Sequence, residues 1–208
     1  MPELPEVETV RRGLEPLLSD AKISAVVVRD RRLRWPIADA FEANLAGRTI
    51  SRIERRSKYL LFRLTGPQPG TLLAHLGMTG SFITHRTAAL PEIRAHDHVD
   101  IRLTTPDGDY VLRYNDPRRF GSMHFFSGPD SAQPLLAELG PEPLTDALTG
   151  EYLYRETRRR TGPVKQALMD NTLVVGVGNI YANESLFRAG IHPNRPANRV
   201  SLARYKNL

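Results

Sequence analysis

The sequence predicts an α+β protein: an N-terminal β-sandwich with a flanking helix, followed by an all-α domain. Three observations carry this. Apolar residues recur at helical spacing over the first eighteen positions. They then give way, to about residue 127, to short runs rich in β-branched and aromatic residues separated by turn chemistry. Beyond residue 150 the helical spacing returns. The expected organisation is a domain over 1–127, a connecting region over 128–149, and a domain over 150–208. The connection holds Pro129, Pro134, Pro141 and Pro143 and room for one short helix.

In the first helix Val7, Val10, Leu14, Leu17 and Leu18 form the apolar stripe, with Arg11 and Arg12 between them. Pro5 suits the first turn, and Glu6 and Glu8 complement the positive end of the helix dipole. A helix start therefore accounts for Pro5 and Glu6 but requires neither Pro2 nor Glu3. The strand-like runs are "ISAVVVRDRRLRW", "TISRIERRSKYLLFRL", "TLLAHLGM", "HVDIRLTT" and "YVLRY", and "TPDGD" at 105–109 reads as a hairpin turn. In this reading Lys58 shares a strand face with Leu60, Phe62 and Leu64. The segment 84–95, "THRTAALPEIRA", is read as a loop.

In the last part, "EYLYRETRRR" leads to "GPVKQALMDN", where Pro163 suits a helix start. A turn, "VVGVGN", precedes a helix from about Ile180 to Ala189, stopped by "GIHPNRP". Ser201 is a good N-cap for one more helix. That helix breaks off where the chain stops, so a truncated piece of a longer protein is expected rather than a natural remnant.

Composition narrows the function classes. The 208 residues carry a net charge of +6. Residues 1–150 are balanced, with 19 Lys/Arg and 19 Asp/Glu, so the excess lies in 151–208, with 10 and 4. Such asymmetry points to an anionic polymer, or else to ordinary solubilising charge. There is no cysteine, which excludes disulfides and thiolate metal sites. "HDH" at 96–98 is a close histidine cluster whose imidazoles would share a face in a strand, yet a third ligand is not apparent. No apolar run approaches the ~20 residues of a membrane span, and the glutamate-rich start is unlike a signal peptide. A cytosolic protein with no membrane contact is expected.

Pro2 raises a chemical possibility. Removal of Met1 would leave a secondary α-amine, whose reference pKa near 8 keeps a useful fraction neutral. Attack on an anomeric carbon would give an iminium, an electron sink that eases later elimination. Glu3, one residue away, could manage protons. Lys58 reads either as a lysine projecting into a cleft or as one snorkelling at a strand end. Met78 and Phe120 read as core residues by default, whereas Arg118 beside Arg119 does not. "GVGN" at 176–179 lacks the preceding strand and third glycine of a dinucleotide site. Between two helices its backbone and Asn179 could instead grip a phosphate.

"MPELPEVETVRRGLEP" resembles the opening of the formamidopyrimidine-DNA glycosylase family of bacterial base-excision repair. "SKYLLF", "HLGMTGSF", "HDHVDI", "YNDPRRFG", "LGPEPL" and "LMDNTLVVGVGNIYANESLFRAGIHP" resemble its other motifs, in the family's order and from end to end of the chain. The resemblance implies a bifunctional glycosylase/AP lyase that removes oxidised purines and cleaves the abasic strand. It makes Pro2 the nucleophile on C1′ and Glu3 the acid/base. Lys58 would serve β-elimination or hold the adjacent phosphate. Met78, Arg118 and Phe120 match a wedge that replaces an extruded base. His75, His96, Arg160, Lys165 and Asn179 match further DNA contacts, the last within a helix–two-turns–helix element.

The implied partner is double-stranded DNA containing oxidised bases, met by a monomer that is nucleoid-associated when bound. Family members typically continue into a cysteine zinc ribbon. With no cysteine here, no metal or other cofactor is expected in this chain. Two alternatives stand beside this reading: a damaged-DNA-binding fragment without turnover, and an endonuclease VIII-like specificity for oxidised pyrimidines.

Overall fold

The computed structural model describes residues 2–208 and divides into two compact units, Met1–Pro129 and Asp130–Leu208. In the first, helix α1 (Leu4–Leu18) begins at Glu3, whose backbone N–H donates to the Glu6 carboxylate at 2.9 Å. Glu3 is thus the N-cap, a structural role that the apolar periodicity does not require. Val7, Leu14 and Leu18 are buried and Leu17 is exposed, so the packed stripe is narrower than expected.

Polar bonds tie α1 to the sheet. Arg11 donates to the carbonyl of Ile53 at 3.2 Å and also pairs with Glu8 and Glu15. Glu8 takes Arg11 at 3.0 Å, Arg12 at 2.8 Å and Arg55, from a neighbouring strand, at 3.2 Å. These partners, Arg11 foremost, pull the Glu8 carboxyl down to about 2.

Among the described residues the strands are β1 (Lys22–Val28), β2 (Thr49–Arg56), β3 (Tyr59–Thr65), β4 (Gly70–His75), β5 (Ser81–Arg86), β6 (Asp97–Thr105), β7 (Gly108–Asn115) and β8 (Ser122–Phe126). They form one antiparallel sheet in the order β5-β7-β6-β1-β2-β3-β4-β8. β1 and β2 pair only at Lys22–Thr49. The sheet therefore folds at that corner into two four-stranded layers, the sandwich expected from the succession of short strands.

Phe62 of β3 meets Phe82 of β5 at 5.7 Å between ring centroids, although the two strands lie far apart in the sheet order. Leu60, Phe62 and Leu72 of one layer and Ile101, Leu112 and Tyr114 of the other share one core with α1. A short helix, α2 (Phe41–Leu45), closes it with Phe41 and Leu45.

Several sequence expectations are corrected. "TISRIERRSKYLLFRL" is two strands joined by a two-residue turn at Ser57–Lys58. α2 interrupts what reads as an all-strand region. The segment read as a loop begins inside β5, and β8 carries no clear strand pattern. The hairpin at "TPDGD" is present, pairing Thr105 with Gly108.

In the second unit, α3 (Pro134–Ala137) is the short helix of the connecting region. It is followed by α4 (Gly150–Thr157), α5 (Val164–Met169), α6 (Asn179–Arg188) and α7 (Leu202–Lys206). Ser201 caps α7 by accepting from the Arg204 N–H. Leu153, Val164, Leu168, Leu173, Leu186, Ile191 and Tyr205 form a separate core. The N–H groups of Val164 and Lys165 donate to Arg195 and Pro193 carbonyls, which fixes the start of α5. Among the described residues no helix is long and apolar enough to cross a membrane.

Candidate active site and nucleic-acid interface

Pro2 is half-buried at the entrance to α1, and Glu3 beside it is buried. Met1 lies outside the described residues. Lys58 does not sit on the β3 face with Leu60, Phe62 and Leu64; it occupies the β2–β3 turn and is nonetheless buried. Ser57 before it has φ +55°, in the left-handed region. A residue with a Cβ is strained there, by about 1 kcal/mol or more. The Arg55 guanidinium donates to the Ser57 carbonyl at 2.9 Å and holds the turn. Burial pushes the Lys58 ammonium below the usual lysine range, while the Glu3 and then the Glu6 carboxylates act in the opposite sense. The three side chains thus share one electrostatic site at the start of α1.

His75, at the end of β4, belongs to the same cluster. Burial, then the charges of Lys58 and Arg34, lower its pKa to about 4, so it is neutral at physiological pH. Its Nδ1 accepts from the Gly77 N–H at 3.0 Å, which leaves Nε2 as the donor. Tyr59 pairs with it across the strands, the rings 5.0 Å apart. Arg34 and Glu6 were not singled out from sequence as site residues; their signals lie in the charges that bear on His75 and Lys58.

The structure brings Met78, Arg118 and Phe120 to one place. Met78 is 38% and Phe120 46% exposed, against the default expectation of core residues. Arg118 lies over the Phe120 ring at 4.8 Å. Their loops touch by backbone. Gly77 has φ +62°, and a Cβ there would come within 2.4 Å of the Phe120 carbonyl carbon and the Gly121 nitrogen. Two apolar tips and a guanidinium therefore project together.

His96 does not share a strand face with His98. It precedes β6 at φ +70° and is exposed. His98 is fully buried, with Nδ1 3.0 Å from the Asp30 carbonyl and Nε2 3.1 Å from that of Asp116. The left-handed residue and the register shift after Asp97 send the two imidazoles to different surroundings. Among the described residues no group of three potential ligands could hold a metal ion.

In the second unit, Gly178 is the N-cap of α6 and Asn179 its first residue, exposed, after Gly176 at φ +78°. Lys165 is partly exposed in the first turn of α5. Arg160 is held by Asp170 at 2.6 Å, and Asp170 also accepts from the Thr172 N–H and hydroxyl.

Residues 1–123 match the family described as "Formamidopyrimidine-DNA glycosylase N-terminal domain", and 139–208 match "Formamidopyrimidine-DNA glycosylase H2TH domain". The chain belongs to the formamidopyrimidine-DNA glycosylase family. A formamidopyrimidine-DNA glycosylase of Alkalilimnicola ehrlichii is 54% identical over all of this chain, which covers 74% of that relative. One of Stutzerimonas stutzeri is also 54% identical, with the same coverage.

Among solved structures, the Lactococcus lactis glycosylase bound non-covalently to DNA containing an AP site is similar at TM-score 0.86 and 34% identity. That match covers 99% of this chain and 76% of that one. The MutM protein of Thermus thermophilus is similar at TM-score 0.82 and 40% identity, over 99% and 71%.

Within this member of the family, the Glu8 cluster fixes the helix that carries Pro2 and Glu3. A folded-state pKa lowered from 4.5 to about 2 gives stability that is present above pH 4.5 and lost as pH falls through about 2. Solvent screening reduces it to about 1 kcal/mol, because the pairs are partly exposed. Glu8→Gln is therefore expected to melt lower at pH 7, with the gap closing as the pH falls toward 2. A gap that persisted undiminished at that pH would contradict this assignment.

Proposed function

We propose that the chain is a bifunctional DNA glycosylase and AP lyase of base-excision repair. It removes oxidised purines such as 8-oxoguanine and formamidopyrimidines from duplex DNA and cleaves the abasic strand by β,δ-elimination. The observation that carries this reading is the buried Glu3–Lys58 pair beside Pro2. It lies in the same compact unit as a projecting Met78–Arg118–Phe120 wedge.

Met78 and Phe120 would replace the stacking lost when the damaged nucleotide leaves the duplex, and Arg118 would pair with the orphaned base. The Pro2 nitrogen, after removal of Met1, attacks C1′ as the N-glycosidic bond breaks, and the base departs with a proton. Glu3 protonates the ring oxygen as the sugar opens to the iminium. Lys58, made less basic by burial, then takes a proton from C2′ and the 3′ phosphate leaves; elimination of the 5′ phosphate follows. His75 donates from Nε2 to a phosphate as a neutral group. His96, Lys165 and Asn179 complete the backbone contacts, with α6 offering the positive end of its dipole. Arg160, which also pairs with Asp170 at 2.6 Å, serves in this scheme as a further phosphate contact.

The relatives are longer than this chain, which covers 74% of their length. The chain has no cysteine and, among the described residues, no metal-binding group, so the residues present do not fit a zinc site. No step of the scheme runs through a metal.

Incubation of the chain with duplex containing 8-oxoguanine and borohydride tests the proposal. A covalent adduct is expected, and it should be absent from protein that retains Met1. Binding without an adduct would instead favour the damaged-DNA-binding fragment. Preferential excision of an oxidised pyrimidine in competition would favour the endonuclease VIII-like reading.

A further inference from the structure

Asp116 is fully buried, and its two carboxylate oxygens serve different loops. Oδ1 accepts from the Thr79 hydroxyl at 2.6 Å, next to Met78. Oδ2 accepts from the Gly121 N–H at 2.8 Å, next to Phe120, and from the Tyr114 hydroxyl at 3.3 Å. The Thr79 oxygen in turn accepts from the Arg118 N–H at 3.1 Å. Three of these four bonds end at the neighbours or the backbone of the wedge residues, and Tyr114 anchors the group to β7.

A buried carboxylate met by hydroxyl and amide donors is stable only while its bonds are made. Moving either loop alone would strip a donor from it. We infer that Asp116 is a positioning residue for base extrusion. It locks the loops at 77–79 and 116–121 into one rigid wedge, so that Met78, Arg118 and Phe120 enter the duplex together. This rests on the glycosylase reading above and extends it to how the wedge is held. Insertion gains nothing from one tip arriving without the others, because unstacking must be offset as the base leaves. The close backbone approach at Gly77 serves the same coupling.

Thr79 is exposed, so Thr79→Val removes the link to Asp116 and to Arg118 with little threat to folding. Thr79→Ser keeps the hydroxyl, and Asp116→Asn, checked for a cooperative melt, removes one acceptor. The readout is the fluorescence rise of 2-aminopurine placed beside a tetrahydrofuran abasic analogue in duplex DNA, which needs no turnover. A second readout is strand cleavage at an abasic site in a single-stranded oligonucleotide, which needs no extrusion.

Thr79→Val and Asp116→Asn are expected to slow the rise about 100-fold while cleaving the single strand at a near wild-type rate. Thr79→Ser should behave as wild type. A full rise in Thr79→Val, an equal fall in both readouts, or no rise in the wild-type chain would overturn the inference. A rise without excision of 8-oxoguanine would sink the glycosylase reading and leave the role of Asp116 standing.

Discussion

Glu3→Gln is expected to slow base excision by about 10²- to 10⁴-fold, the range for loss of a positioned acid/base. Glu3 is also the N-cap of α1, and that role must be separated from chemistry. The capping box is reciprocal: the Glu3 backbone N–H donates to the Glu6 carboxylate, and the Glu3 side chain accepts from the Glu6 N–H. Glutamine keeps the backbone donor and one side-chain oxygen as acceptor. Stability should therefore fall by less than about 2 kcal/mol. Single-turnover excision and a thermal melt on the same preparation check this. Loss of activity in proportion to unfolded protein would assign Glu3 to capping alone.

Lys58→Arg is the second large effect. Arginine keeps the positive charge near Glu3 and Glu6 but cannot deprotonate at any accessible pH. If Lys58 takes the C2′ proton, strand cleavage should fall at least about 100-fold while duplex affinity is retained. The wild-type cleavage rate should rise with pH and level off below the usual lysine range, because burial lowers this pKa. The variant should lose that rise. If Lys58 only holds a phosphate, Lys58→Arg would cleave normally, and Lys58→Met would weaken binding instead.

Where local chemistry matched tertiary structure, the fold was legible in the sequence. Pro5 and Glu6 marked α1, "TPDGD" marked the β6–β7 hairpin, and Ser201 marked α7. What escaped had a physical cause in each case. β5 and β8 are the two edge strands, only partly buried, so neither shows a clean apolar alternation. The Ser57–Lys58 turn lacks the Asn-Gly or Asp-Gly pair that announces a tight hairpin, and it is held from a distance by Arg55. The helix that begins at Phe41 is too short to show a period.

For the site, Glu3 and Lys58 could be named from sequence, but their meeting could not, since α1 and a distant strand turn supply them. Asp116 lies within "YNDPRRFG", and nothing in that stretch marks its role. Its buried carboxylate, shared between two loops, became visible only once both were folded.

Two amines compete for the role of nucleophile: the α-nitrogen of Pro2 and the Lys58 side chain, whose lowered pKa would also suit a Schiff base. Peptide mapping by mass spectrometry of the borohydride-reduced complex with 8-oxoguanine duplex separates them. The deoxyribose remnant should be found on Pro2, at the processed start of the chain. A remnant on Lys58, or reaction by protein that still carries Met1, would contradict the mechanism at its first bond.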